Sequence, residues 1–259
     1  MSNMPEQSRS IYDQRWDAGG YLRQYYSKSY VPDDEEAVYQ RLIPYLKRAG
    51  RTFARAIDFG CGPTVHLVTP LAPYVEELHL ADYLPGNLLE VQKWLRAEEG
   101  AHNWDLNIKR VLEIEGLAEV SQDDVAARKS QMRRKVTALK RCDVRQPHPL
   151  SDGSVYDLVL SAYCVDAATN AKDEWRQLIV NLLRLCADGG TVVLVSSRKS
   201  RHYIVGDERF PNANIGEEDF AAALAAAGFD SRRTDIEAVP IKDWAEEGFD
   251  GIVIAIATK

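Results

Sequence analysis

Two glycines and two carboxylates in the first third of the chain have the spacing of a nucleoside-binding site. In the stretch IDFGCGPT, Asp58 precedes Gly60 and Gly62, and Asp82 follows 20 residues after Gly62. Glycines at such a turn let the backbone approach a ligand closely, and a carboxylate that ends the next strand can accept hydrogen bonds from ribose hydroxyls. The alternative is a tight turn with a helix-capping aspartate. We expect a bound nucleoside.

The same loop indicates which nucleoside. A pyrophosphate-binding turn has a third glycine, whereas residues 63–66 read PTVH, and the carboxylate of Asp58 would repel phosphates. S-adenosylmethionine carries a sulfonium and an ammonium group and no phosphate, so the loop favours this cofactor. Further along the chain, Asp143 could accept from the adenine amino group while Val144 packs on the ring. A nicotinamide-dependent oxidoreductase is the alternative from a different class.

Seven strand-like runs must position these residues. Helical patterns lie between them, which is typical of a parallel sheet covered by helices on both faces. We therefore predict an α/β, Rossmann-like fold with a seven-stranded, mostly parallel sheet. The predicted strands are 53–59, 77–82, 135–144, 156–165, 189–197, 234–241 and 251–258.

The amino-acid composition further limits the possible classes of protein and of binding partner. The 259 residues carry a net charge of -7, which disfavours nucleic acid and acidic membranes as partners. No apolar run reaches the roughly 18 residues that a spanning helix needs, and the first residues do not resemble a signal peptide. The four cysteines have no metal-ligand spacing. We expect a cytoplasmic monomer without a metal site.

Six stretches of this sequence, in order, resemble the nicotinamide, phenylethanolamine and indolethylamine N-methyltransferase family. The resemblance covers roughly residues 12 to 259 and is carried by IDFGCGPT, ADYLPGNLLEVQKWL, NWDLNIKRVLEIEG, LKRCDV, LSAYCVDAA and KSRHYIVGDERF. It implies S-adenosylmethionine as the methyl donor, S-adenosylhomocysteine as a product, and a small-molecule nitrogen as the acceptor. It also implies a helical, aromatic lid over residues 1–50. Residues 51–259 would then form the cofactor-binding domain, with an insertion at about 97–134.

The resemblance also assigns cofactor-binding residues. The tyrosines of the lid would close over the cofactor, the glycine loop would line its methionine part, and the ends of the second, third and fourth strands would hold the nucleoside and the transferred methyl group. The residues concerned are Tyr21, Tyr26, Gly60, Gly62, Thr64, Asp82, Tyr83, Asn87, Asp143, Val144, Ala162, Tyr163 and Cys164, and the reading of the glycine loop adds Asp58 and His66 as further cofactor-binding residues.

The acceptor site departs from the family pattern. Tyr21, Ser196, Tyr203 and Asn212 are expected to bind the acceptor, but family members often have a carboxylate where this chain has Ser196. His66 likewise replaces a frequent tyrosine, and Asn212 replaces the serine of nicotinamide-type members. The loss of the carboxylate predicts an acceptor held without a strong charged anchor, such as a neutral heteroaromatic or amide nitrogen.

Methyl transfer from a sulfonium is an in-line displacement, so orientation can supply most of the acceleration, about 7–11 kcal/mol in intramolecular analogues. A proton acceptor is needed only if the acceptor atom binds protonated or is a hydroxyl. The candidates are Tyr203, His202, Asp166 and His66, although Asp166 could instead cap a helix and His202 could be exposed. Methylation of oxygen and a non-catalytic cofactor-binding protein remain open as alternatives.

Overall fold

The apolar runs form a central sheet in the computed structural model, which describes residues 11–243, 248 and 250–259. The first ten residues of the predicted lid therefore lie outside the described residues. The strands are β1 (Phe53–Phe59), β2 (Val75–Asp82), β3 (Val136–Arg141), β4 (Tyr156–Ala162), β5 (Cys186–Ser197), β6 (His202–Val205), β7 (Glu208–Pro211), β8 (Thr234–Val239) and β9 (Ile252–Thr258).

Seven of these strands pair in the order β3-β2-β1-β4-β5-β9-β8. Strands β1 to β5 run parallel, and β9 is antiparallel to both β5 and β8. The predicted seven-stranded, mostly parallel sheet is thus confirmed. Chain order reverses between β1 and β4, and ligands of such sheets bind in the crevice beyond the strand ends at that point. A hairpin of β6 and β7, which the sequence did not predict, stands apart from the main sheet.

Three strands end earlier than predicted, each for a local reason. Strand β4 stops at Ala162 because Tyr163 has a φ of 52°, in the left-handed region. Strand β3 gives way to a turn, in which the Asp143 carboxylate accepts from the Arg145 amide at 3.0 Å. Strand β8 ends before Pro240, which has no amide hydrogen to donate.

Eight α-helices lie wholly within the described residues and pack around the sheet. They are α1 (Ala18–Tyr26), α2 (Asp33–Ala49), α3 (Val68–Leu71), α4 (Pro85–Leu95), α5 (Asp105–Glu115), α6 (Gln122–Lys135), α7 (Lys172–Leu183) and α8 (Glu217–Ala226). Helices α5 and α6 occupy the predicted insertion at about 97–134. The Ser121 side chain caps α6, because Ser121 and Asp124 form a reciprocal capping box.

Buried apolar side chains form one layer on each face of the sheet. Helix α2 contributes Leu42 and Leu46 to one layer, and helices α7 and α8 contribute Trp175 and Phe220 to the other. This two-sided packing holds the strand ends rigidly. No helix in the described part of the chain is long and apolar enough to cross a membrane.

Candidate cofactor and acceptor site

A cavity of about 190 Å³ lies beyond the carboxyl ends of β1, β2 and β4. Because roughly 10–15 Å³ suffices for one water, this space accommodates a small molecule. It is lined by nearly all of the predicted site residues: Tyr21, Tyr26, Asp58, Gly60, Gly62, Thr64, His66, Asp82, Tyr83, Asn87, Asp143, Val144, Ala162, Tyr163, Cys164, Tyr203 and Asn212.

The glycine turn after β1 is positioned by backbone bonds to β2. The amides of Gly60 and Cys61 both donate to the Ala81 carbonyl, at 2.8 and 3.0 Å. Gly60 has a φ of 76°, and a Cβ added there would overlap the Cys164 side chain. Glycine is therefore required at this position on two counts, the left-handed backbone and the absence of a side chain.

The Asp82 carboxylate joins this turn to the second strand. One oxygen accepts from the Gly62 amide at 2.9 Å, and the other accepts from the Leu84 amide at 2.8 Å and the Asn87 side chain at 3.0 Å. Burial raises the pKa of Asp82 above its ordinary value. A carboxylate offers about four acceptor positions, so three donors leave capacity for a ribose hydroxyl. Trp16 closes this end by donating to Asn87 at 2.7 Å.

Asp58 is the most unusual carboxyl group in the cavity wall. It is only 2% exposed, and no hydrogen bond to its carboxylate comes from the described residues. Burial, together with the nearby Asp82, raises the pKa of Asp58 to about 7. A buried carboxylate without donors is stabilised by a bound cation. The ammonium group of S-adenosylmethionine fits this requirement, and a pyrophosphate does not.

His66 provides a neutral polar group in the same wall. Burial, reinforced by His102, lowers the pKa of His66 to about 3, so its imidazole is uncharged at neutral pH. The ring packs between Tyr26, at 5.1 Å, and Trp104, at 5.6 Å between centroids. Its Nδ1 is buried without a partner among the described residues. His66 can therefore hydrogen-bond to a bound ligand.

Aromatic side chains of the N-terminal segment cover the cavity. The Tyr21 ring lies 5.0 Å from both Trp16 and Tyr25. Helix α1 is fastened to the β6–β7 hairpin because Gln24 and Tyr25 both donate to the Ile204 carbonyl, at 2.8 and 2.7 Å. The Gly206 amide donates back to Gln24 at 2.8 Å. These bonds hold α1 against the hairpin, with Tyr21 and Tyr25 in the cavity wall.

Tyr203 lies in the cavity wall, stacked on Phe210. The Tyr12 hydroxyl donates to the Ala167 carbonyl at 2.9 Å. Because its proton is used in that bond, the Tyr12 oxygen accepts from the Tyr203 hydroxyl, also at 2.9 Å. Burial raises the pKa of Tyr203 well above its ordinary value. The phenol therefore stays protonated at neutral pH.

Three predicted residues do not line the cavity. Asp166 lies behind the wall, where its carboxylate accepts from the Ser197 amide at 3.1 Å and from the Asn212 side chain at 3.4 Å. Burial raises the pKa of Asp166 to about 6. Ser196 is buried in β5, and its neighbour Ser197 lines the cavity instead. His202 is half-buried in the β6–β7 hairpin.

Several lining residues were missed by sequence reasoning. Those with polar or aromatic side chains include Tyr12, Trp16, Tyr25, Asp34, Glu35, Arg145 and Ser197. Asp34 and Glu35 belong to the acidic start of α2, a pattern that by itself indicates only a helix N-terminus. In the structure Tyr163 donates to Asp34 at 3.0 Å, and Glu35 accepts from Asn107.

The fold and the site together define a methyltransferase that uses S-adenosylmethionine. Residues 6–259 match the model of the NNMT/PNMT/TEMT family, and the chain belongs to that family. The resemblance predicted from the sequence is thereby confirmed. The protein transfers methyl groups from S-adenosylmethionine to nitrogen in small molecules.

Similar proteins support this assignment. The nicotinamide N-methyltransferase of Sus scrofa is 31% identical over 86% of this chain and 85% of its own. The indolethylamine N-methyltransferase of Mus musculus is 28% identical over 96% of this chain and 94% of its own. The fold resembles that of the 1,6-didemethyltoxoflavin-N1-methyltransferase of Burkholderia thailandensis, with a TM-score of 0.56 and 16% identity over 100% of this chain and 92% of the other.

When bound, S-adenosylmethionine supplies a methyl group attached to a positively charged sulfur, so no protein nucleophile is needed. The protein's residues have only to bind the cofactor and the acceptor, to orient them, and to remove water from around the reacting atoms. We predict that Asp58 would hold the positive charge of the cofactor, that Asp82 and Asn87 would hold its nucleoside end, and that the aromatic side chains would exclude water. The residue roles within this cavity stay predictions.

Proposed function

We propose that the acceptor is a small planar molecule that carries an N–H group, with a heteroaromatic or amine nitrogen receiving the methyl group. The observation that carries this proposal concerns the side-chain oxygen of Asn212. Its side chain lines the cavity and is 3% exposed, and its Oδ1 has no hydrogen-bond partner among the described residues. A buried amide oxygen without a donor is costly, so a ligand N–H is the natural partner.

Asp166 determines which side-chain atom of Asn212 is left to bind a ligand. Because the Asn212 amide nitrogen donates to Asp166 at 3.4 Å, its carbonyl oxygen faces elsewhere. Asp166 is thus a positioning residue that also accepts from Ser197 at the end of β5. It holds the amide so that a donor on the ligand, rather than an acceptor, is recognised.

Aromatic rings favour a planar acceptor. The rings of Tyr21, Tyr25, Tyr163 and Tyr203 all line the cavity. Flat ligands stack on such rings with little loss of side-chain entropy. The relatives' names specify acceptors of the same shape, since nicotinamide and indolethylamine each contain an aromatic ring.

The test compares acceptors that differ by a single N–H group. We expect Asn212→Ala to lower kcat/KM about 3–10-fold for the N–H acceptor, as one lost hydrogen bond implies, and to leave its N-blocked analogue unchanged. S-adenosylhomocysteine release is the assay, and Asn170→Ala, at an exposed position, is the control. Equal losses for both acceptors would contradict the assigned role of Asn212.

We also propose that residues 1–50 act as a lid and that the protein is a cytoplasmic monomer that does not bind nucleic acid. The bonds that Gln24 and Tyr25 of α1 donate to the β6–β7 hairpin support a lid that is fastened to that hairpin. The net charge of -7 opposes phosphate binding, and the four cysteines are free thiols, as is usual in a reducing compartment. Light scattering of the purified protein tests the monomer directly.

A further inference from the structure

Two neighbouring residues after β4, Asp166 and Ala167, connect separate parts of the cavity wall. The Tyr12 hydroxyl donates to the Ala167 carbonyl, and its oxygen accepts from Tyr203. The Asn212 side chain donates to the Asp166 carboxylate. Tyr203 and Asn212, both expected to bind the acceptor, are therefore attached to the same short stretch of chain.

Arg145 reaches the next residue of this stretch from the turn after β3. Its Nη2 donates to the Ala168 carbonyl, and the side chain lines the cavity. Burial raises the pKa of Tyr12, and the positive charge of Arg145 partly opposes that rise. Arg145 thus lies beside Tyr12, at the end of the cavity where Tyr203 and Asn212 are attached.

The guanidinium of Arg145 has donors that no described residue uses. Its side chain bonds to the Ala168 carbonyl alone among the described residues, whereas a guanidinium can donate about five hydrogen bonds. Its Nε is buried without a partner in the described part of the chain. A buried donor of a charged group is costly to leave unpaired, so an acceptor atom on a ligand is its natural partner.

The positive charge of Arg145 is not paired by the carboxylates around it. Asp143, two residues earlier, accepts from the Arg145 backbone amide at 3.0 Å and not from its guanidinium. Asp166 accepts from the Ser197 amide and from the Asn212 side chain. Arg145 forms no salt bridge with any described carboxylate, and it is the single lysine or arginine among the described residues that line the cavity.

We propose that Arg145 binds a carboxylate on the acceptor, so that the acceptor is a planar heteroarene with an acidic substituent. The parallel N–H groups of a guanidinium match the two oxygens of a carboxylate. The acceptor presents this carboxylate to Arg145 and an N–H group to the Asn212 oxygen, two protein groups that border the same stretch after β4. The methylated nitrogen is a separate atom with a free lone pair. The inference rests on the proposed function.

The experiment compares benzimidazole-5-carboxylate with benzimidazole-5-carboxamide, which share their shape and ring N–H group and differ in charge. Arg145→Gln removes the guanidinium charge. We expect it to lower kcat/KM about 10–100-fold for the carboxylate, mainly through KM, and less than threefold for the carboxamide. Arg145→Lys keeps the charge without the planar fork and should restore part of the loss. Arg233→Gln, on an exposed arginine, is the control.

Calorimetry in the presence of S-adenosylhomocysteine separates recognition of the acceptor from its methylation. The carboxylate should bind the wild-type protein more tightly than the carboxamide does, and Arg145→Gln should abolish that difference. Affinity for S-adenosylhomocysteine itself should stay unchanged in the variant. A loss of that affinity would assign Arg145 to the methyl donor and overturn the inference. Equal losses for the two probes would overturn it as well, because they would show that the bond to Ala168 only shapes the cavity wall.

The two proposals fail in different ways. If the wild-type protein binds the carboxylate through Arg145 but methylates neither probe nor any other planar amine, the proposed function is wrong, and Arg145 still marks an anion site. If it methylates both probes equally and Arg145→Gln changes neither rate, the proposed function stands and only the role of Arg145 is wrong.

Discussion

Substitution of the two loop glycines separates backbone strain from steric overlap. Gly60 and Gly62 have φ values of 76° and 61°, so alanine at either position is strained by about 1–2 kcal/mol. At Gly62 the nearest atom to an added Cβ is the Thr64 methyl carbon, at 3.9 Å, which is ordinary contact. At Gly60 the Cβ would overlap the side chain of Cys164. Overlap of this kind costs about a further 1–3 kcal/mol.

Thermal unfolding without ligand is the assay. At about 2–4 °C per kcal/mol for a chain of this size, Gly62→Ala should lower Tm by about 2–8 °C, and Gly60→Ala by about 2–12 °C more. Cys164→Gly should relieve part of the Gly60→Ala defect, because the nearest remaining Cys164 atom, its Cα, is 3.7 Å from the added Cβ. Equal Tm losses for the two alanine variants, or strict additivity with Cys164→Gly, would refute the close approach of Gly60 to Cys164.

Two further predictions concern ligand affinity and the lid. Because the pKa of Asp58 is raised to about 7, a bound ammonium must displace a proton below that pH, so affinity for S-adenosylhomocysteine should rise with pH up to about 7 and then level off. Calorimetry across this range should show a flat profile for Asp58→Asn, and an unchanged slope in that variant would exclude Asp58 as the cause. Gln24→Ala removes two bonds between α1 and the hairpin and should speed S-adenosylhomocysteine release about 3–10-fold in stopped-flow experiments. Arg23→Ala, on an exposed residue of the same helix, is the control, and equal release rates in both variants would contradict a fastening role for Gln24.

Residues close in sequence to a strand end could be predicted because their placement depends on local rules. The glycine turn, Asp82 and Asp143 lie at or just after the end of a parallel strand, and such strand ends meet at one edge of a sheet. The seven-stranded sheet followed from the apolar runs. The antiparallel orientation of β9 did not, because an apolar run has the same pattern in either direction.

The rest of the site depends on long-range packing. Asp34 lies in an acidic helix start, and only the docking of α2 beside Tyr163 places it in the cavity. Whether Ser196 or Ser197 lines the cavity depends on which face of β5 borders the cavity. Because β5 is buried on both faces, its sequence does not indicate which face that is. Tyr12 reaches the site through Tyr203, which is 191 residues away along the chain.

The most direct test of the central claim is the fate of the methyl group itself. S-adenosylmethionine labelled with carbon-13 in its methyl group is incubated with the wild-type protein and a planar amine acceptor, and the product is identified by NMR. Methyl transfer to nitrogen predicts an N-methyl signal with one equivalent of S-adenosylhomocysteine. An O-methylated product, or S-adenosylhomocysteine formed without any methylated acceptor, would contradict it.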